Sequence, residues 1–190
     1  KPEAAAAFEQ VIRDHSASQF NSYALVALGA LKSAEQGGAA RALELYKAAT
    51  VKPATARVGA EAWFQLANLH FREKAYAESA AAFEKLFQLY PADERIAVAA
   101  LPRAWALFNA KMPADALRLA EGILAASNGA DAVSASQGQT GVEEWLYLKA
   151  NCLRQLLKPG EAADTYAKLQ ELFPDGRFAR AAAFENAMAL

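Results

Sequence analysis

The sequence contains few of the residues on which catalysis and metal binding usually depend. Among its 190 residues there are one cysteine, Cys152, and two histidines, His15 and His70. A single cysteine excludes an internal disulfide and a cysteine-only metal site. Neither histidine has a second ligand at a zinc-binding spacing, and no glycine-rich phosphate loop is present. We therefore expect no metal, no cofactor and no catalytic residue, and we predict that the chain is not an enzyme.

Strand patterns, long apolar runs and an excess of one charge are also missing. No stretch of Val, Ile and Thr alternates with polar residues over the length of a strand. Charged residues interrupt every apolar run, so no segment can span a bilayer. The net charge is −1 with Lys and Arg scattered, whereas nucleic-acid binding requires a basic stripe. These absences predict an all-α chain without a membrane span in this segment and without a nucleic-acid partner.

Alanine, by contrast, is abundant: about a quarter of the residues are alanine, and 54% of the chain is hydrophobic. Alanine has the highest helix propensity, and its small side chain permits close helix packing. The apolar content is sufficient for one sizeable core or a short repeat array. Because Lys1 lies within a helical pattern, we expect the chain to be a fragment of a longer protein.

Two amphipathic helical patterns follow each other between Ala60 and Asp93. Each has a single apolar stripe at helical spacing. The stripes consist of Trp63, Leu66, Ala67, His70 and Phe71 in the first helix, and of Ser79, Ala80, Phe83, Leu86, Phe87 and Leu89 in the second. The small residues Ala67 and Ser79 permit close antiparallel packing. Pro91 ends the second helix because its ring cannot continue the backbone ladder.

This segment resembles the tetratricopeptide repeat (TPR), whose signature is W-x2-L-G-x2-Y, then A-x3-F, then P. The corresponding residues here are Trp63, Leu66, Ala67, His70, Ser79, Phe83 and Pro91. Alanine replaces Gly and serine replaces Ala, so the small positions remain small. The resemblance implies an all-α TPR α-solenoid, in which antiparallel helix pairs form a right-handed superhelix.

The pair of small residues, twelve positions apart, recurs along the chain. The further pairs are Ala30 with Ala42, Ala104 with Ala116, and Ala150 with Ala162; Ala4 and Ala187 take these positions in partial repeats. The register predicts a single array over residues 1–190. It consists of a partial repeat at 1–16, full repeats at about 20–54, 57–91, 94–128 and 140–174, and a partial repeat at 177–190.

The register also predicts where the helices lie. They are expected at about 3–15, 19–35, 39–51, 57–73, 76–90, 93–110, 113–126, 141–156, 160–173 and 177–190. Pro113 and Pro159 each fall in the first turn of a helix, where proline is tolerated. Cys152 and His70 lie on apolar helix faces, so we expect both to be buried packing residues.

The first small positions are 37 residues apart, except for one step of 46 between Ala104 and Ala150. The longer step adds about nine residues within Ser127 to Gly141. This segment is rich in Ser, Gly, Ala and Gln, which predicts a surface loop. The loop is either a contact to a partner or a tolerated insertion.

A step of 37 residues exceeds the 34 of an ordinary TPR. Helix-ending proline followed by a short polar turn is similar to the TPRs of bacterial envelope proteins, such as the outer-membrane assembly lipoprotein and the Tol–Pal coordinator. The resemblance implies a periplasmic or outer-membrane-associated scaffold, with a cytoplasmic location left open. The alternatives are a TPR segment of a polysaccharide-export or secretion apparatus that contacts glycan and protein, and an enzyme domain outside this segment.

In TPR proteins the first helix of each pair lines a concave groove, and the register transfers the groove positions to this chain. They are Phe64, Asn68, Phe71 and Arg72, then Leu101, Trp105, Phe108 and Asn109, and finally Tyr147, Asn151, Arg154 and Gln155. Asn68 and Asn151 occupy the position where asparagine commonly bonds a peptide backbone. The resemblance thus implies a protein or peptide partner in the groove.

Two further expectations concern partners. The clamp for chaperone C-termini needs a lysine where this chain has Phe64, Leu101 and Tyr147, so chaperone-tail binding is disfavoured. The first and last helices each lack the partner helix that would complete their repeat. Their apolar faces should therefore be covered by neighbouring copies of the chain, by swapped segments or by the remainder of the protein.

Overall fold

The computed structural model describes residues 2–126 and 139–189, and these residues form helices joined by short turns, without a strand. The helices are α1 (Pro2–Asp14), α2 (Phe20–Ser33), α3 (Ala39–Val51), α4 (Ala56–Arg72), α5 (Tyr76–Leu89), α6 (Arg95–Asn109), α7 (Pro113–Ala126), α8 (Gln139–Gln155), α9 (Pro159–Leu172) and α10 (Ala179–Ala189). The all-α prediction is confirmed, and each boundary lies within two residues of its expected position. Residues 127–138, most of the predicted loop, lie outside the described residues, and α8 begins before Gly141.

Proline and a side-chain cap explain several of these boundaries. Helix α5 ends at Leu89, two residues before Pro91, whereas Pro113 and Pro159 are the first residues of α7 and α9. Proline is accommodated there because a first-turn N–H has no partner within the helix. At the start of α4, the Thr55 hydroxyl accepts a hydrogen bond from the backbone N–H of Val58 at 3.3 Å, which satisfies one unpaired donor.

The joints between consecutive helices share one unusual backbone conformation. Lys74, Lys111 and Leu157 have φ angles of 61°, 64° and 58°, in the left-handed region that side chains disfavour. Each lies seven residues after a small position of the predicted register. In the longer joint between α2 and α3, the residue in the left-handed region is Gly37, with φ 76°. The chain therefore reverses through a single left-handed residue at each of these turns.

The chain divides into two compact units, residues 1–106 and 107–190. In the first unit, α1 packs on α2, α2 on α3, α3 on α4, and α4 on α5. One core cluster there consists of Ala5, Leu25, Leu28, Leu45, Ala49 and Ala62. Arg103 of α6 joins α5 in the same unit, since it forms an ion pair with Glu84 and its guanidinium lies 4.7 Å from the centre of the Phe87 ring.

In the second unit, α7 packs on α8, α8 on α9, and α9 on α10. The core cluster consists of Leu146, Ala150, Leu153, Ala162, Tyr166, Leu169, Phe173 and Ala182. Most of these residues lie on α8 and α9, the last complete helix pair. Of the helices described in either unit, none is long and apolar enough to cross a membrane.

The small positions are buried at the contacts between paired helices. Ala67 and Ser79 are fully buried, and the Ser79 hydroxyl donates a hydrogen bond to the Ala67 carbonyl at 2.9 Å. This bond ties α5 to α4. Ala104, Ala116, Ala150 and Ala162 are also fully buried, which confirms their expected environment.

In the first full repeat the predicted small residue is wrong by one position. Ala30 is exposed, and Gly29 is buried in its place. A Cβ at Gly29 would lie 2.7 Å from Cε1 of Tyr46, so only glycine fits against this ring without displacing it. The register shifts because the α2–α3 joint is longer than the three-residue joints elsewhere.

The two partial repeats also depart from the predicted register. In α1 the buried residue is Ala5, and the predicted Ala4 is exposed. In α10, Ala187 is exposed because the described chain has no further helix after α10 to cover it. Ala182 is the fully buried alanine of α10.

Cys152 and His70 are both buried, as predicted. Burial raises the pKa of the Cys152 thiol to about 12, so the reactive thiolate is not formed at neutral pH. Burial, reinforced by the positive charge of Lys47, lowers the pKa of His70 below its ordinary value, against a weaker effect of Glu78. The neutral imidazole is therefore the form that packs in the folded protein.

The corrected register predicts opposite outcomes for two adjacent substitutions. Gly29→Leu should lower the free energy of unfolding by at least about 1–3 kcal/mol, since the new side chain overlaps Tyr46. Ala30→Leu should stay within about 0.5 kcal/mol of wild type, because the position is exposed. Urea denaturation followed by circular dichroism measures both. A larger loss for Ala30→Leu would restore the original register.

Acid should weaken the fold through His70. Its folded-state pKa lies below the unfolded value of 6.5, so unfolding takes up a proton. The stability contributed by the neutral form is complete above about pH 6.5 and is lost as pH falls toward the folded pKa. The loss can reach about 1.4 kcal/mol per pH unit. His70→Tyr should lose less stability between pH 7 and pH 5 in parallel denaturation curves; equal losses would contradict the assignment.

Candidate functional site

A groove of about 330 Å³ lies in the first unit, where α2, α4 and the start of α6 meet. Its volume falls at the lower end of the range of ligand sites in proteins. The lining residues are Tyr23, Val26 and Ala27 of α2, Arg57, Val58 and Glu61 of α4, and Arg95 of α6. The groove thus combines an apolar wall with charged groups.

Helical spacing explains why these residues converge. Tyr23, Val26 and Ala27 follow the i, i+3, i+4 pattern that places side chains on one face of α2. Arg57 and Glu61 share one face of α4 by the same rule. Tyr23 is 46% exposed, so its ring presents apolar surface at the groove. These two helices supply both the wall and most of the charges.

Arg95 is held by two carboxylates on the charged side of the groove. Its Nε and Nη2 atoms both lie 2.6 Å from Oε2 of Glu61. Its Nη1 donates to both carboxylate oxygens of Asp93, at 2.8 and 3.0 Å. Burial alone would lower the pKa of Arg95, but the bonds to Asp93 and Glu61 outweigh it and raise the pKa. Arg95 remains a cation whose donors are already used within the protein.

The two carboxylates of this network have further donors. Oε1 of Glu61 accepts a hydrogen bond from Gln65 at 2.7 Å, and Oδ1 of Asp93 accepts one from the backbone N–H of Arg95 at 3.0 Å. Asp93 therefore also satisfies a donor at the start of α6. The network links α4 to α6 and fixes one side of the groove.

Arg57 differs from Arg95 in its exposure and in the distance to its ion-pair partner. Its side chain is 80% exposed, and its ion-pair partner, Glu94, lies 3.9 Å away and is itself largely exposed. Exposed pairs at such a distance contribute little to stability. The guanidinium of Arg57 is thus available to a ligand in the groove.

The groove residues predicted from the sequence divide between the units. Phe64, Asn68, Arg72, Leu101 and Trp105 lie in the first. Phe64 packs edge-on against Phe83 of α5, with ring centres 6.3 Å apart, and Arg72 donates to the backbone and hydroxyl oxygens of Ser33 at 3.1 and 2.7 Å. Asn68, Leu101 and Trp105 are half-buried. Part of the predicted surface is therefore engaged in contacts between helices.

In the second unit, the predicted residues of α8 contact the turn before α10, their own helix, and α10 itself. The Tyr147 ring stacks on Phe178, with centres 4.6 Å apart and planes 17° apart. Asn151 is 6% exposed, and its side chain donates to the Tyr147 carbonyl of its own helix at 2.8 Å. Arg154 forms an ion pair with Glu185 of α10 at 3.4 Å. Asn109, on α6, is half-buried.

The sequence reasoning missed Tyr23, Arg57, Glu61 and Arg95. None of the four lies three residues before a small position or one, four or five residues after it, which are the offsets from which the groove positions were drawn. The Leu28-Gly29 dipeptide, which reproduces the L-G of the repeat signature, was the signal that could have corrected the register of the first repeat. Glu61 lies six residues before Ala67, the same offset as Tyr23 from Gly29, so the corrected register aligns these two groove positions.

Within residues 2–126 and 139–189, no group of three or more His, Cys, Asp and Glu side chains is arranged to hold a metal ion. The charged groups at the groove instead pair with one another. The chemistry available there is apolar contact, hydrogen bonding and charge pairing, which are the interactions of recognition.

Comparison with known proteins shows which fold arranges the helices in this way. Residues 60–93 match the tetratricopeptide repeat family. The fold is similar to the crystal structure of YrrB, described as "a TPR protein with an unusual peptide-binding site", with a TM-score of 0.66 and 18% sequence identity. The alignment covers 97% of this chain and 82% of YrrB. No curated protein matches the sequence.

The chain has an all-α TPR fold. In TPR terms, α4 and α5 are the first and second helices of the repeat at residues 60–93. The groove described above lies on first helices, the helices from which the sequence resemblance drew its binding surface. The TPR prediction made from Trp63, Leu66 and Ala67 is confirmed for this repeat.

The contacts in the second TPR unit predict that Tyr147 has a structural role. Tyr147→Ala should lower the free energy of unfolding by about 2 kcal/mol, because it removes a half-buried ring that contacts Phe178. Phe184→Ala, on the exposed side of α10, is the matched control and should change it by less than about 0.5 kcal/mol. Hydrogen exchange in residues 179–189 reports the loosening of α10. Equal protection in both variants would contradict this role.

Proposed function

We propose that this TPR chain is a non-enzymatic scaffold that binds a segment of a partner protein in the groove of α2, α4 and α6. The observation that carries the proposal is the groove of about 330 Å³, with an apolar wall and an exposed arginine, Arg57, in its lining. The likeness to YrrB, whose description names a peptide-binding site, supports the same class of partner. The side chains that line the groove offer apolar contacts, hydrogen bonds and charges, which are the interactions by which a protein recognises a peptide.

A peptide segment fits this groove better than a compact small molecule does, because apolar surface continues beyond it on the same helices. Phe20 on α2 and Val98 on α6 are exposed, and each lies within one turn of a lining residue, Tyr23 or Arg95. Exposed aromatic and aliphatic side chains next to a pocket are typical of protein-binding surfaces. An extended segment can use both the groove and these flanking residues.

The predicted residues of the first unit belong to the same proposal. Asn68 and Trp105 lie on the first helices α4 and α6, where an amide and an aromatic ring can bind a peptide backbone and an apolar side chain. Phe64, Arg72 and Leu101 complete the set on these helices. Asn109, Tyr147, Asn151 and Arg154 of the second unit form a separate candidate surface. It is of lower rank because Tyr147, Asn151 and Arg154 are already engaged by Phe178, by their own helix and by Glu185, respectively.

The cellular setting of the scaffold is also a proposal. The step of 37 residues between Ala67 and Ala104, and the polar turn after Pro91, support a bacterial envelope assembly. We propose a periplasmic or outer-membrane-associated location. Fractionation of the cells that produce the full-length protein tests this directly, and recovery in the cytoplasmic fraction alone would overturn it.

The groove proposal is tested by crosslinking followed by binding measurements. A photo-crosslinking amino acid at Tyr23 should capture one defined partner segment, whereas the same group at Lys85, exposed on α5, should not. With that segment as a synthetic peptide, Tyr23→Ala should weaken binding roughly thirtyfold, the effect of losing a central aromatic contact of about 2 kcal/mol. Asn68→Ala should cost about 1–3 kcal/mol by leaving a peptide polar group unpaired.

The control for these variants is Lys168→Glu on α9, an exposed position where the charge changes without touching the groove. It should bind like wild type, and circular dichroism should report unchanged helical content for every variant. Loss of binding in the control together with full binding by Tyr23→Ala would place the partner on the second helices.

A further inference from the structure

We propose that the groove selects segments in which an acidic side chain stands beside a large apolar one, and that Arg57 binds the acidic group. The inference rests on the proposed function, because it specifies the chemistry of the segment that the groove accepts. It follows from a difference in exposure and internal pairing among the charged residues that line the groove beside its apolar wall.

Arg57 is the available cation of the lining. Arg95, the other arginine there, is 14% exposed and bonds to two carboxylates, so its donors face protein acceptors. Arg57 is 80% exposed and meets Glu94 only at 3.9 Å. A ligand carboxylate could replace this weak contact with a paired, fork-like hydrogen bond to the guanidinium.

The acidic residues of the groove offer little to a basic ligand. Both oxygens of Glu61 accept hydrogen bonds, from Gln65 and Arg95. Both oxygens of Asp93 accept bonds from Arg95. Glu94 is exposed, but it is not part of the groove lining. Of the charged residues that line the groove, Arg57 is therefore the one that lies outside the network of Glu61, Asp93 and Arg95.

The backbone of α4 adds to this preference. Arg57 is the second residue of this 17-residue helix, behind the Thr55 cap. The first turn of a helix carries the positive end of its dipole, which favours negative charge nearby. A carboxylate at Arg57 thus meets two favourable fields from the same element.

The apolar requirement follows from the opposite wall. Tyr23, Val26 and Ala27 of α2 line the groove together with Val58 of α4, and the groove surface is built mainly of apolar atoms. An aromatic or branched aliphatic side chain would cover this surface and the exposed part of the Tyr23 ring. Because Arg57 and Val58 both line the groove, the acidic group belongs next to that apolar side chain.

The test is a selection from a random twelve-residue peptide library displayed on phage, with the whole chain as bait. Wild type should enrich peptides with Asp or Glu next to a large apolar residue, and Arg57→Glu should lose that acidic preference. A synthetic peptide of the enriched sequence should bind Arg57→Gln at least fivefold more weakly. Replacing its acidic residue by the corresponding amide should weaken binding to wild type similarly and have little further effect on Arg57→Gln.

Arg41→Gln, which removes an exposed arginine of α3, is the matched control and should bind the peptide like wild type. If wild type enriches no peptide beyond the Tyr23→Ala variant, the proposed function itself fails. If peptides are enriched without acidic residues, with basic residues, or with equal affinity for Arg57→Gln, the groove binds peptides but the assignment of Arg57 is overturned. The charge-reversed pair, Arg57→Glu with a lysine-substituted peptide, should recover part of the lost affinity.

Discussion

The close approach of paired helices at small residues is the constraint on which the rest of this structure depends. Ridges of one helix can enter the grooves of another only where side-chain volume permits interaxial distances of about 8–10 Å. Ala67 and Ser79 permit it between α4 and α5, and the Ser79 hydroxyl reaches the backbone of the facing helix. At Gly29 even a methyl group is excluded by the Tyr46 ring. Close packing therefore dictates which face of each first helix is turned inward.

The groove follows from this packing. When one face of α2 and of α4 is committed to a second helix, other faces remain to meet neighbouring first helices. Between them, Glu61 and Arg95 bind each other across 34 residues of sequence. This network holds the charged side in place and leaves Arg57 outside it. The same elements thus provide an apolar wall, an ion-pair network around Arg95, and an exposed arginine, Arg57.

A first helix can contact a ligand or the next first helix with the same residues. In the second unit, residues of α10 and of the turn before it take that place on α8. Tyr147 stacks on Phe178, and Arg154 pairs with Glu185. Aromatic and charged side chains at equivalent repeat positions therefore do not have equivalent availability. The position in the repeat shows which residues are candidates for binding a partner. The contacts with neighbouring elements determine which of these residues a partner can reach.

The sequence by itself determined the helices, the repeat class and most of the small positions. These properties arise from local spacing. Apolar residues recur every three to four positions to form a stripe, a small residue lies near its centre, and proline, which lacks a backbone N–H, marks helix ends and first turns. Such patterns are recognisable in the sequence without knowledge of which helices contact each other in the folded chain. The register failed only at Ala30 and in the partial repeats, where joint length or the absence of a covering helix breaks the period.

Only the tertiary structure decided where a partner segment can bind. Arg57 and Arg95 are both arginines near the start of a helix, and nothing in the sequence separates them. Their difference arises from the distance and exposure of their partners, since Arg95 lies 2.6 Å from Glu61 and 2.8 Å from Asp93, while Arg57 lies 3.9 Å from the exposed Glu94. Charge availability depends on distance and burial in three dimensions, and residue type and repeat position encode neither.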